Sequence, residues 1–238
     1  MTRAELLYAL AAAAANLLGA LTVTTGARGG LRALNLMLAF SAGFLISVAL
    51  LDLFPEALRE TGGQAAAVAL VGYLLVHLTQ HTIGKHFHFG EETHAISRVV
   101  SMSALVGLLL HTFVDGVAVA SGVRVSQQFG LLVFLAVVLH KLPEGLAISS
   151  SFMAAGAGKR AALAAAGMLG MATIAGVFVT AHAAPLARHG LALSAGVTLY
   201  VGASNLVPEL QATHGWRVPI SFFAGCAVYA AARYVAGA

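Results

Sequence analysis

HTFVDGVAVASGVRVSQQFGLLVFLAVVLHKLPEGLAISS, residues 111–150, decides how the rest of the chain is read. Two apolar stretches flank a short polar link at residues 124–127, and each carries ionisable groups at its middle. The first holds His111 and Asp115, the second His140, Lys141 and Glu144. With their upstream and downstream residues the stretches run over 99–123 and 128–155, each longer than the ~20 residues needed to span a bilayer. Ionisable groups in hydrocarbon cost roughly 2.5–3.5 kcal/mol each on insertion scales, so five of them demand either mutual pairing or a function.

The whole chain agrees with a membrane setting. Of 238 residues, 59% are apolar and 9% charged, with 26 glycines and a single cysteine. The mean hydropathy is +0.88. These values exclude disorder, a collagen-like chain and a water-soluble globule, and they argue against an outer-membrane barrel, whose strands alternate. Further apolar runs lie at 4–25, 33–54, 64–83, 161–184, 190–210 and 218–237. The fold expected is an all-α integral membrane bundle of eight transmembrane helices in one domain, residues 1–238. The first run is too long for a signal-peptide core, and its basic flank follows it, so it reads as a retained helix. Cys226 alone excludes an internal disulfide and a cysteine metal cluster, and reads as a small buried apolar side chain. No basic stripe suggests nucleic acid; the excess positive charge suits an anionic lipid bilayer.

Loop charges assign sidedness. Placing the odd-numbered loops in the cytosol puts Arg28, Arg32, Lys85, Arg98, Lys159, Arg160 and Arg217 inside, against Arg3, Arg59, Arg124, Arg188 and Arg233 outside. Both termini are then extracytoplasmic. Tyr200, Tyr229, Tyr234 and Trp216 read as interfacial anchors or packed aromatics. Gly167, Gly170 and Gly176 in the sixth run read as close helix packing.

Two internal echoes suggest inverted repeats. HTFVDGVAVAS at 111–121 matches HKLPEGLAISS at 140–150, and DLFPEAL at 52–58 matches NLVPEL at 205–210. The second and seventh spans are symmetric about the fourth and fifth, giving a 3+2+3 arrangement. Pro55 and Pro208 read as markers of helix ends.

The chemistry follows from spacing. Residues four apart share a helix face, so His111 with Asp115 forms one half-site and His140 with Glu144 another. Two imidazoles and two carboxylates can ligate a divalent cation. Without thiolate, this set suits Zn2+, with Fe2+, Mn2+, Co2+, Ni2+ or Cd2+ as alternatives. Pro143 removes a backbone donor and so frees a carbonyl beside the site. Thr112 can add a weak oxygen ligand. Lys141 places an ammonium among the ligands and disfavours a second metal, so a single ion is expected. Two His–carboxylate pairs on adjacent spans exceed what interhelical gluing alone requires.

HTFVDG followed by HKLPEG resembles the paired fourth- and fifth-helix signature of the ZIP divalent-metal transporters, particularly their bacterial branch. DLFPEAL resembles that family's second-helix ending and TLYVGASNLVPEL its seventh helix, so the likeness spans residues 34–210. It implies eight helices in a 3+2+3 arrangement with both termini outside, in a bacterial inner membrane. It implies metal import to the cytosol, commonly by a homodimer, with His111, Asp115, His140 and Glu144 at the transport site. It further implies an elevator-like movement of the fourth and fifth helices with their partners. This chain departs from the family pattern at Thr112 and Val114, commonly Asn and Pro; at Lys141, often acidic or an amide; at Thr173, an acid in two-metal members; and at Leu45, a methionine in some relatives. The lost second-site ligands and the resident lysine agree on one metal.

Other candidates flank this core. Asp52 and Glu56 near the outer face could attract cations, and Asn205 and Glu209 near the inner face could receive the ion leaving. The third loop, about 84–98, and its approach hold His77, His81, His86, His88 and His94, a cluster suited to cytosolic metal capture, with His86, His88 and His94 in the loop itself. His182, His189 and His214 read as boundary residues. The alternative function is an intramembrane metal-dependent hydrolase, for which no HExxH and no separate general base are evident. A haem-binding bundle would need histidines facing across helices.

Overall fold

Thr2 and Glu5 start the first helix reciprocally: the Thr2 hydroxyl accepts from the Glu5 amide at 3.2 Å, and the Glu5 carboxylate accepts from the Thr2 amide at 2.5 Å. That pairing satisfies amide groups that a helix start leaves open. Ser126 caps another helix in one direction only, its hydroxyl accepting from the Phe129 amide at 3.0 Å. The computed structural model describes residues 1–26, 31–82, 98–211 and 215–236. Among these, all regular elements are helical: α1 (Arg3–Thr24), α2 (Leu31–Val48), α3 (Phe54–Thr61), α4 (Gln64–Thr82), α5 (Arg98–Val125), α6 (Gln127–Ala154), α7 (Gly158–His182), α8 (Ala184–Leu199), α9 (Val207–Gln211) and α10 (Arg217–Ala236). Wide π turns, Ala49–Leu53 and Tyr200–Leu206, join α2 to α3 and α8 to α9. Six helical stretches are long and apolar enough to cross a bilayer, including α1, α5, α6, α7 and the α2–α3 rod.

The π turns correct the expected span ends. Pro55 and Pro208 do not stop their helices; each falls at the start of a new helical segment. A proline there has no amide to place, and the preceding wide turn absorbs the missing bond. The α2–α3 rod therefore runs on to Thr61, past the expected end at 54, whereas the α8–α9 rod ends at Gln211, one residue beyond the expected 210.

Two groups of helices result. In one, α1 lies along α6 and α7, and α5 lies along the same two; in the other, α2 lies along α10 and α4 along α8. The groups meet chiefly where α5 crosses α8 and where α2 crosses α6. Within the groups the crossings are backbone on backbone. A Cβ on Gly145 would strike the Asn16 carbonyl, and one on Gly19 the Leu142 carbonyl. Gly116 and Gly176 stand in the same relation, facing the Thr173 and Phe113 carbonyls. Gly43 with Gly225, and Gly72 with Gly196, repeat the reciprocal pattern in the second group. Close approach of this kind is how apolar helices associate when lipid is as oily as their side chains. Of the three glycines in α7 expected to pack closely, Gly170 and Gly176 do, whereas a Cβ on Gly167 would meet only the Leu17 Cδ2 methyl, at 3.9 Å.

Hydroxyls fasten one group to the other. Ser41 on α2 donates to the Leu139 carbonyl at 3.2 Å and Ser194 on α8 to the Val114 carbonyl at 3.4 Å. Leu139 lies four residues before Pro143, so its carbonyl is the one the proline leaves without a helical donor, and Ser41 fills the gap.

Gly145→Ala should therefore destabilise the bundle by about 1–3 kcal/mol, the usual range for overpacking, while Gly167→Ala should be neutral or mildly stabilising. Thermal unfolding in detergent checks both; equal melting temperatures would contradict the crossing geometry.

Candidate metal site

The one-residue link at Ser126 folds α5 and α6 into an antiparallel hairpin, whose far end is pinned by the Ser101 and Ser151 hydroxyls 2.7 Å apart. At mid-height the hairpin brings its polar side chains face to face. Asp115 Oδ2 is their meeting point, with Lys141 Nζ at 2.5 Å, His140 Nε2 at 3.2 Å and His111 Nε2 at 3.4 Å. Glu144 is held by two donors: the Thr112 hydroxyl at 2.6 Å on Oε1 and Lys141 Nζ at 2.5 Å on Oε2. Lys141 also donates to the Thr112 oxygen at 3.2 Å. All six side chains are buried, and Lys141 is 0% exposed.

One ligand atom from each of His111, Asp115, His140 and Glu144 lies within 4.8 Å of the others. The pairing within this cluster differs from the half-sites expected from spacing. His140 meets Asp115 across the hairpin, not Glu144 on its own helix, and Glu144 turns to Thr112 and Lys141. Antiparallel packing sets His140 opposite Asp115, while Lys141, three residues before Glu144, draws that carboxylate sideways.

The tautomer of His140 matters for what the cluster can do. Its Nδ1 lies 2.9 Å from the Ala136 carbonyl, which accepts only from an N–H. Nε2 of the neutral ring is then a lone pair, and it faces a carboxylate oxygen at 3.2 Å. Two acceptors so close need either a proton on Nε2 or a cation between them. His111 Nδ1 is buried without any hydrogen-bond partner. Backbone-fixed imidazoles beside carboxylates are the arrangement metal ligands adopt.

Several residues were not foreseen. Asn16 on α1 is fully buried with neither amide atom partnered, and its backbone lies against Gly145, next to Glu144. Ser41 caps the carbonyl freed by Pro143, which the sequence left open beside the site. A buried Asn in an apolar helix was a visible signal; the partner of Ser41 was not.

The flanking candidates lie apart from this cluster. Asp52, in the π turn after α2, is buried and accepts from the Tyr229 hydroxyl and from Arg233 Nε at 2.8 Å. Tyr229 is thus buried and bonded, not an interfacial anchor. Glu56 accepts from Arg59 at 2.9 Å, and Asn205 is half-buried in the second π turn. Glu209 falls on α9, its side chain outside the described residues, as are His86, His88 and His94. His77 is exposed on α4, with Nδ1 3.4 Å from the Tyr200 hydroxyl. His189 has a buried, unpartnered Nδ1. Cys226 is half-buried, its thiol donating to the Gly43 carbonyl at 3.4 Å.

Residues 76–231 match the family model described as ZIP Zinc transporter. The chain is 31% identical over 156 residues to the zinc transporter ZIP9 of Micropogonias undulatus, a match covering 59% of this chain and 50% of that protein. It is 29% identical over 187 residues to the zinc transporter ZupT of Enterobacter sp. (strain 638), covering 74% and 72%. It is 22% identical over 211 residues to the zinc transporter YKE4 of Saccharomyces cerevisiae, covering 74% and 61%. The chain spans about half the length of the ZIP9 proteins it matches.

Proton competition supplies a direct test of the cluster as a ligand set. Imidazole and carboxylate bind metal only when deprotonated, so zinc affinity should fall on acidification. Isothermal titration of the purified protein checks this, and His140→Ala should weaken binding at pH 7 by tenfold or more, as loss of a ligand does.

Proposed function

The chain belongs to the ZIP zinc transporter family, and from that premise we propose that it imports a divalent transition metal, zinc before others, into the cytosol. The carrier site is His111, Asp115, His140 and Glu144, one ion at a time. What supports this reading above all is that four buried ligand atoms converge within 4.8 Å, in helices that are otherwise apolar. Groups so expensive to bury are retained where they handle an ion.

The ion sheds water for two imidazoles and two carboxylates, with the Thr112 hydroxyl in reach of Glu144. His140, oriented by the Ala136 carbonyl, offers Nε2 without further rotation. Asp52 spends its carboxylate on Tyr229 and Arg233, which ties the π turn to α10. Glu56 on the outer approach and Asn205 and Glu209 on the inner one are therefore the stronger candidates for entrance and exit. The loop histidines His86, His88 and His94 serve cytosolic capture.

The architecture of this reading is one transmembrane domain over residues 1–238, eight spans arranged 3+2+3, with inverted outer triplets and both termini outside a bacterial inner membrane. The paired glycine crossings support it: α1 stands to α6 as α7 stands to α5, and α2 stands to α10 as α8 stands to α4. The two π turns, each leading into a Pro-Glu pair, support it as well. The hydrolase alternative finds no support in the family.

Two measurements test the proposal. Liposomes holding the protein and a zinc-sensitive dye should show zinc influx that His140→Ala abolishes; equal influx would remove these residues from the mechanism. Metal counting should return one equivalent of zinc per wild-type chain and two for Lys141→Asp, whose carboxylate replaces the ammonium.

A further inference from the structure

Lys141 is the one charged group of the cluster that the proposed carrier site does not use as a ligand, and its surroundings are those of a bound cation. The ammonium touches one oxygen of each carboxylate, Asp115 Oδ2 and Glu144 Oε2, at 2.5 Å in both cases. A third oxygen, that of Thr112, lies at 3.2 Å. These are oxygens from both helices of the hairpin, and they are the ones a divalent ion at this site would draw on. Ammonium and metal therefore compete for the same lone pairs.

The consequence concerns charge. Without Lys141, loss of the metal would leave two carboxylates facing each other in a fully buried position, each made worse by the other. With Lys141 between them, the site without metal carries one net negative charge, and every carboxylate oxygen near the ammonium keeps a donor. We propose that the Lys141 ammonium is a tethered counter-ion that replaces the departing metal between Asp115 and Glu144, so that the unloaded carrier reorients without taking up a second cation. This rests on the transport reading above and assigns Lys141 to the return half of the cycle, which that reading leaves open. The lysine remains charged throughout; it moves between the carboxylates and their edge as the metal leaves and arrives.

A carrier that swaps metal for metal reorients only in its loaded form, whereas net uptake requires the unloaded form to reorient in every cycle. Proteoliposomes separate the two: radioactive zinc entering metal-free vesicles reports net uptake, and radioactive zinc entering vesicles preloaded with unlabelled zinc reports exchange. For Lys141→Gln the ratio of net uptake to exchange should fall about tenfold or more relative to wild type, given what an uncompensated charge costs in a buried membrane site. Exchange by the variant doubles as proof that it has folded. Methylammonium should restore net uptake to Lys141→Ala by occupying the space the side chain leaves. An unchanged ratio in Lys141→Gln, or parallel loss of both activities, overturns the inference. Wild-type protein that neither takes up nor exchanges zinc overturns the transport reading itself and this inference with it.

Discussion

A single carboxylate oxygen, Asp115 Oδ2, is shared by an ammonium and two imidazoles in the middle of an apolar hairpin. In a low-dielectric interior such a cluster is favourable only while each charge keeps its partners; removing one leaves a buried charge with nothing to offset it. The constraint reaches outward from there. Asp115 and Glu144 must come within reach of one ammonium, so α5 and α6 must lie close and in one register. The Ser126 link sets that register at one end and the Ser101–Ser151 bond holds it at the other.

The rotation of each helix about its own axis is set by third parties. Gly145 follows Glu144 and seats α6 on the backbone of Asn16 in α1; Gly116 follows Asp115 and seats α5 on Thr173 in α7. A carboxylate and the glycine after it thus point to different neighbours, one toward the buried polar cluster and one toward a supporting helix. This is why the motif repeats as carboxylate–glycine in both spans: the chemistry and the close approach are adjacent in the chain.

That much was legible in the sequence, because it depends on spacing within one helix. The buried side chains that gather on α5 and α6, the lysine among them, and the helical character of the chain could be read from apolar stretches and i, i+4 relations. What could not be read was which carboxylate each histidine would face, since that depends on contacts between helices. Gln127–Ala154 alone offers His140 the choice of Glu144, and only the opposing α5 decides for Asp115. The same limit hid the partners of Asp52: Tyr229 and Arg233 lie 177 and 181 residues away. The carbonyl freed by Pro143 was foreseeable from proline's missing amide, and its capping by Ser41, 98 residues earlier, was not. The end of the second run was misplaced where a π turn lets the helix continue through Pro55 to Thr61, a geometry that leaves no local signature as plain as the proline itself.

The reciprocal glycines have a consequence for how this chain tolerates change. An enlarged side chain in an ordinary core can be accommodated when a neighbour is trimmed. At Gly19, Gly43, Gly72, Gly116, Gly145, Gly176, Gly196 and Gly225 the neighbour is a peptide carbonyl, and there is nothing on the other side to shorten. Second-site suppressors of a bulky residue at these positions must act by shifting a whole helix, and a shifted helix carries its buried polar side chains with it. Along α5 and α6 structural repair therefore disturbs the His111, Asp115, His140 and Glu144 cluster, whereas the second group of helices contributes none of those four side chains.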